Sequence, residues 1–189
     1  MSSQIHASAI IDEGSIIGSQ TQVWHFCHIM AGASIGSGCI LGQNVFVAST
    51  AVIGNHVKIQ NNVSIYDGVI LEDDVFVGPS VVFTNVSRPR SFISQKSSYA
   101  PTRVCKGASL GANATVICGV VIGEYAMIGA GAVITTSVPA FALMTGNPAR
   151  HVGWVSMTGK PLDIAEGETI YLPEEGVSYL LKDKALALQ

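Results

Sequence analysis

Most of the positive charge in the first two thirds of this chain sits in one short stretch. Arg88, Arg90, Lys96 and Arg103 fall between Thr84 and Arg103 with no acid among them, and Lys106 follows. Only Lys58 is basic before residue 88, and the formal net charge is −3. Such an island suits an anionic group, a phosphate or a carboxylate; a solvated or intersubunit loop is the plainer reading. Pro89 stiffens the spacing between Arg88 and Arg90. A guanidinium grips either anion through two hydrogen bonds. Nucleic acid is not expected, because the island is short and the pI is 5.9.

Other reactive residues give weaker patterns. The four cysteines, Cys27, Cys39, Cys105 and Cys118, form no CxxC pair, and no histidine cluster completes a zinc spacing. No metal is therefore expected. Glu72-Asp73-Asp74 could bind a cation, although a corner turn explains it better. Gly36-x-Gly38 followed by Gly42 precedes no helix, so it is not a dinucleotide loop.

The element that must position these residues is a repeat of six. Ile5, Ile11, Ile17, Val23, Ile29, Ile35, Leu41, Val47, Ile53, Ile59, Ile65, Leu71, Val77 and Phe83 keep the period. It resumes at Val104, Leu110, Val116, Ile122, Ile128 and Ile134. A fixed period sets the architecture before any local signal does, and six fits no helical template. Small or β-branched residues recur at the fifth position, as at Ala33, Cys39 and Ala51, and glycine at the second, as at Gly18, Gly36 and Gly54. One hexad reads as a short strand and a tight corner, stable only when stacked on its copies.

Phe83 and Val104 are 21 residues apart, so about fifteen residues, within 84–103, form an inserted loop. A long excursion from a rigid scaffold is usually functional. After residue 150 the period is lost, and 151–189 is expected to form a small cap of strands and turns ending in a helix near Val177–Leu188. Tyr125 to Ala149 carries no charge, but it keeps the period and holds Gly129, Gly131, Pro139, Gly146 and Pro148. Buried coils are expected there rather than a membrane span.

These residues resemble the hexapeptide-repeat family, and the resemblance covers about Ile5 to Arg150. It implies an all-β, left-handed parallel β-helix with three hexads per triangular coil, about six to seven coils in all. Residues eighteen apart then stack at roughly 4.8 Å. His25, Gln43 and Asn61 form a polar column, Tyr66 lies beneath Thr84, and Asp67 lies beneath Asn85. Such columns can be amide ladders or sites; the column running into the loop is favoured as a site.

Most such proteins are acyltransferases, typically homotrimers with acyl-CoA between subunits. Phe83-Thr-Asn-Val-Ser-Arg-Pro-Arg-Ser91 and Tyr99-Ala-Pro-Thr102 resemble the N-acetyltransferases of nucleotide-linked 3-amino sugars. Val23-Trp-His-Phe26 and Gln60-Asn-Asn-Val-Ser-Ile-Tyr-Asp-Gly68 agree. The resemblance is strongest to enzymes acting on UDP-2-acetamido-3-amino-2,3-dideoxy-glucuronate in O-antigen biosynthesis, with the dTDP-3-amino-3,6-dideoxyhexose enzymes beside them. It implies that Asn85 orients the amine or the thioester carbonyl, and that Arg88 or Arg90 holds the diphosphate or a sugar carboxylate. Tyr66 and Asp67 would meet the sugar, and His25, with Gln43 and Asn61, could touch substrate. Coenzyme A would run along Ala112 and Ala130, with Arg150 and Lys106 at its 3′-phosphate. Some relatives carry paired cysteines near Ser156–Thr158 and Leu172–Glu175; this chain has none after Cys118, so a zinc knuckle is not expected.

Two other classes stay open at this point. A γ-type carbonic anhydrase would need three histidines around zinc, and His25, His28 and His56 lack that spacing. A non-catalytic repeat scaffold would need no cationic loop. No basic region precedes an apolar run at the N-terminus, so a cytoplasmic protein is expected, without membrane attachment.

Overall fold

The computed structural model describes residues 2–95 and 99–189. Strands of two or three residues, from Gln4–Ile5 to Val133–Ile134, wind around three flat faces. Face A stacks Gln22–Val23, Ile40–Leu41, Lys58–Ile59 and their counterparts; face B stacks His28–Ile29, Phe46–Val47 and Ser64–Ile65; face C stacks Ser34–Ile35, Val52–Ile53 and Val69–Leu71. The pairings between coils are parallel and, away from the loop and the last coil, in register at eighteen residues, as in Ser64 opposite Phe46. The seven strands of face B set the coil number at the upper end of the expected range.

The six-residue apolar positions point inward. Ile29, Leu41, Val47, Ile59, Ile65, Leu110 and Ile122 are fully buried, with the small fifth-position residues Ala33, Ala51 and Ala108 closing the corners. Cys27 and Cys39 share that corner position and aim their thiols at the carbonyls of Gly42 and Gly54, at 3.0 and 3.1 Å. Burial pushes both thiols up, so neither is poised as a nucleophile.

The inserted loop leaves the helix undisturbed. Val69 pairs with Thr102 and Phe83 with Val116, thirty-three residues apart instead of eighteen, so the fifteen extra residues hang outside an unbroken ladder. The Ala100 N–H donates to the Asn85 carbonyl at 3.1 Å and closes the loop's neck.

The C-terminal cap corrects one expectation. Val177–Lys182 and Ala185–Leu188 are strands, not a helix; they pair antiparallel with each other, and Val177–Lys182 pairs antiparallel with Thr169–Leu172 on its other side. Burial alternates along them: Tyr179, Leu181 and Leu186 face in, a period of two. Asp183 and Lys184 both have positive φ, the geometry of a tight two-residue hairpin turn. The 150/151 boundary falls inside a strand, Arg150–Val155, which folds back antiparallel on Ala142–Thr145 and continues face A. Tyr179 packs edge-on against Phe141, which stacks on Tyr125 of the last coils.

The two segments without cysteines meet around a carboxylate. Ser156 and Thr158 hydroxyls each donate to Glu175 Oε1 at 2.5 Å, and Tyr179 OH donates to Oε2. Burial acts to raise the Glu175 pKa, but the hydroxyl and amide donors outweigh it and hold the carboxyl at about 2. Burial and the adjoining carboxylate push Tyr179 up to about 12. Because the folded value of Glu175 lies below its ordinary 4.5, its stabilisation is present at neutral pH and fades as pH falls from 4.5 towards 2. Glu175→Gln is expected to lower stability at pH 7 by about 1–2 kcal/mol after allowance for solvent screening, and to flatten the acid limb. Thermal melts at pH 7 and pH 3 check both; a variant with the wild-type acid limb would remove Glu175 from this role.

Candidate active site at the loop corner

Three corners run the length of the helix, and the sequence-predicted residues divide among them. Tyr66, Asp67 and Asn85 lie on the corner between faces B and C, where the loop departs. His25, Gln43 and Asn61 lie on the corner between A and B, together with Ala112 and Ala130. Lys106 lies on the third corner, between C and A. One subunit therefore does not bring these groups to a single point.

The loop corner has the shape of a site. A cleft of about 540 Å³ is lined by Ser49, Thr50, Asp67, Gly68 and Tyr99. The Thr50 N–H and hydroxyl both donate to Asp67 Oδ1, at 3.0 and 2.9 Å, and the Gly68 N–H donates to Thr50 Oγ1 at 3.1 Å. Asp67 is thereby fixed by one oxygen, while Oδ2 has no hydrogen-bond partner among the described residues. Tyr66, half-exposed, packs its ring against Phe46 on face B, 6.2 Å between centroids. Asn85 stands one coil above Asp67, partly exposed, with only its backbone carbonyl engaged by the loop.

Tyr99 also walls a second cleft of about 310 Å³ within the loop, together with Val86, Pro89, Arg90 and Gln95. Among the described residues Arg90 Nη1 donates to its neighbour's carbonyl, Pro89 O, at 2.8 Å, and its side chain is exposed. Arg88 is exposed, and its backbone carbonyl accepts from Gln95 Nε2 at 2.8 Å. Lys96 lies outside the described residues. The cationic island is smaller than its sequence suggests. Arg103 is an outward residue of face C paired with Glu72 at 2.7 Å, and Glu72 also accepts the Lys106 N–H. Glu72 and Asp73 are thus corner groups, Asp73 capping the Asn55 N–H at 2.6 Å.

The A–B corner carries an amide ladder with Asn61 Oδ1 accepting the Gln43 N–H at 2.9 Å. His25 stacks on His6 at 3.6 Å. Farther along, Gly111 leaves no room for a side chain, its Cβ position lying 2.5 Å from the Ala130 N. The Ala112 carbonyl accepts the Gly131 N–H, while the N–H groups of Ala112 and Ala130 have no hydrogen-bond acceptor among the described residues. Arg150 follows at the end of the same corner, opposite Thr145, which touches Gly129. Ala112, Ala130 and Arg150 can thus line one groove; Lys106 of the same chain stands apart from it. His28 is paired with Asp12 at 3.3 Å and His56 with Asp74 at 3.5 Å. Among the described residues no group of three or more His, Cys, Asp or Glu is placed to hold a metal, and no helix is long and apolar enough to cross a membrane.

The bacterial transferase hexapeptide model (six repeats) matches residues 14–49, 50–85 and 101–136. This chain belongs to the hexapeptide-repeat family of bacterial transferases. Its solenoid is accordingly the left-handed parallel β-helix. Among curated proteins it is 46% identical to the dTDP-3-amino-3,6-dideoxy-alpha-D-galactopyranose 3-N-acetyltransferase of Aneurinibacillus thermoaerophilus, over 88% of this chain and 85% of that one. Among solved structures it is similar to a hexapeptide-repeat acetyltransferase of Vibrio cholerae complexed with acetyl coenzyme A. That match has 28% identity and a TM-score of 0.51, covering 62% of this chain and 70% of that one. A variant of the GDP-perosamine N-acetyltransferase of Caulobacter crescentus, in complex with CoA and GDP-perosamine, shares the fold at 24% identity and a TM-score of 0.51. It is matched by 81% of this chain, which spans only 57% of its length.

Thr50 and Tyr99 are the site residues that sequence reasoning missed. Thr50 is seventeen residues from Asp67, one step off the eighteen-residue columns, so no register argument pairs them. Tyr99 stands in the loop-end motif, but only the folded loop turns it toward Asp67.

Proposed function

We propose that this protein is an acetyl-CoA-dependent N-acetyltransferase acting on the 3-amino group of a nucleotide-linked amino sugar. The observation that carries this is the cleft between Asp67 and Tyr99 beneath the arginine-bearing loop, in a family of transferases. The 46% identical relative acts, by its name, on such a 3-amino sugar.

In this reading the neutral amine attacks the thioester carbonyl carbon. The C–N bond forms, and the oxygen gains charge that Asn85 Nδ2 is suited to stabilise. Asp67 Oδ2 accepts a hydrogen from the amine or a sugar hydroxyl and aims the nitrogen lone pair. The C–S bond then breaks, and the departing thiolate takes the proton that nitrogen loses. Arg88 or Arg90 holds the diphosphate or a carboxylate. Coenzyme A lies along Ala112 and Ala130, with Arg150 at its 3′-phosphate end. A homotrimer would bring the A–B corner of one subunit to the loop corner of its neighbour, which leaves Lys106, on the third corner, away from the cofactor.

The favoured acceptor is UDP-2-acetamido-3-amino-2,3-dideoxy-glucuronate, made in the cytoplasm for a lipopolysaccharide O-antigen. The named activity of the 46% identical relative favours a second reading, a dTDP-3-amino-3,6-dideoxyhexose. Thiol release from acetyl-CoA, measured with each acceptor, decides. Turnover of the uronate alone supports the first reading, and of the dTDP sugar alone the second. Silence from both, despite acetyl-CoA binding, would overturn the proposed acceptor class.

A further inference from the structure

The N-terminal end of the A–B corner carries four aromatic rings that the acyl-transfer chemistry does not use. His25 stacks on His6 at 3.6 Å, and Trp24 lies nearly parallel to His25, 10° between planes at 6.1 Å. Phe26 stands beside His25 at 6.1 Å. Trp24 is 46% exposed and Phe26 63% exposed. Neither is explained by core packing.

Phe26 is the clearer anomaly. It has a φ of +57°, and the residues at the same point of the later coils are Asn44, Asn62, Ser80 and Asn113. Small polar side chains, asparagine above all, suit that conformation, whereas a bulky ring there is rare. Tyr125 and Phe141 also have positive φ, but they stack on each other at 5.3 Å against the cap. Phe26 has no such packing to justify it.

The rings are set in place, and the space beside them is open. His6 Nδ1 lies 2.9 Å from Ser8 Oγ and 3.2 Å from the Ser8 N–H, which holds the ring in place. Ser8 Oγ accepts the Phe26 N–H at 3.0 Å and ties the two coils together. A cleft of about 460 Å³ lies alongside, lined by His6 and Trp24 with Gln4 and Gln22. Each glutamine offers both a donor and an acceptor. Exposed aromatic faces beside amide side chains suit a flat heterocycle with a hydrogen-bonding edge. Along this corner two rungs, roughly 10 Å at the strand spacing, separate His25 from Asn61; the loop corner that carries Asp67 would come from the neighbouring subunit of the proposed trimer.

We infer that the His6–Trp24–His25–Phe26 corner seats the nucleobase of the sugar nucleotide, stacked on Trp24 with its edge turned to Gln4 or Gln22. This rests on the acceptor being nucleotide-linked. It orders the A–B corner along the helix: nucleobase at the N-terminal coils, coenzyme A at the C-terminal ones. The adenine of coenzyme A has the same stacking chemistry, so the test must separate the two sources.

The test is direct binding, by calorimetry and by tryptophan fluorescence, of UDP, dTDP and 3′,5′-ADP to the wild type and to Trp24→Ala and Trp24→Phe. The chain has two tryptophans, and Trp154 is buried, so quenching on binding reports Trp24. The expected result is that Trp24→Ala weakens UDP or dTDP binding about ten-fold, Trp24→Phe restores most of it, and 3′,5′-ADP is unaffected. Loss of 3′,5′-ADP binding with the pyrimidine nucleotides unchanged would overturn the inference and give the corner to coenzyme A. Equal binding by all three proteins, or no pyrimidine-nucleotide binding by the wild type, would overturn it as well. Because no acetyl transfer is measured, Trp24-dependent binding stands even if both proposed acceptors prove inert.

Discussion

Asn85→Ala is expected to lower kcat about 100-fold, with KM for acetyl-CoA and for the sugar nucleotide nearly unchanged. That is the usual effect of removing one donor from a developing oxyanion. The substitution is clean, because the structural task of Asn85 falls to its backbone: the carbonyl accepts the Ala100 N–H at 3.1 Å, and alanine keeps that bond. The side chain stands at the loop's root, one coil above Asp67. Steady-state thiol release at saturating substrates measures the effect. A variant with full kcat would strip Asn85 of this role and leave Asp67 as the chief orienting group. A loss confined to KM for the sugar would instead make Asn85 a ground-state binding residue.

The largest effect on stability is expected from Gly36→Ala. A Cβ at Gly36 would lie 2.4 Å from the Gly54 carbonyl oxygen and 2.6 Å from its carbon. These are backbone atoms of the next coil, so no side chain can swing aside. One methyl must pry apart two coils that the Gly36 N–H and the Ile53 carbonyl hold together at 2.8 Å. Overpacking of this kind costs about 1–3 kcal/mol, a fall in Tm of roughly 2–12 °C for a chain of this length. Gly153→Ala is the control, since nothing lies within 4 Å of its Cβ position. Melts of the three proteins decide; equal Tm values would mean that the coils yield more readily than their spacing implies.

Much of the fold is legible in the sequence because a solenoid makes distant contacts periodic. Once Ile5 and its successors fix the phase, every eighteenth residue is a neighbour, and the pairing of Lys58 with Phe76 follows. The loop length follows too, because the period resumes in phase at Val104. The cap did not yield to that reasoning: Val177–Leu188 lacks the six-residue period, and its helix-like apolar content hides the alternation that makes it a hairpin. The candidate site was legible by columns and opaque across them. The register places Asp67 beneath Asn85, but says nothing of Thr50 crossing to the Asp67 carboxylate. Nor does sequence proximity show that Arg103 is paired with Glu72, with Lys106 round the next corner.

The loop's attachment has an evolutionary meaning. Strands on either side of it stay paired to the coils above and below, and its two ends meet at Asn85 and Ala100. Chain can therefore be added, removed or rewritten between those points without shifting a single rung, and lengthening it adds little closure entropy. In the proposed reading the solenoid fixes where the acetyl group is delivered and holds Asp67, and the loop adds its own contacts to the amine's carrier. Descendants of this scaffold could rewrite the loop's share of the acceptor contacts by exchanging some fifteen residues, while the stacked core is inherited intact.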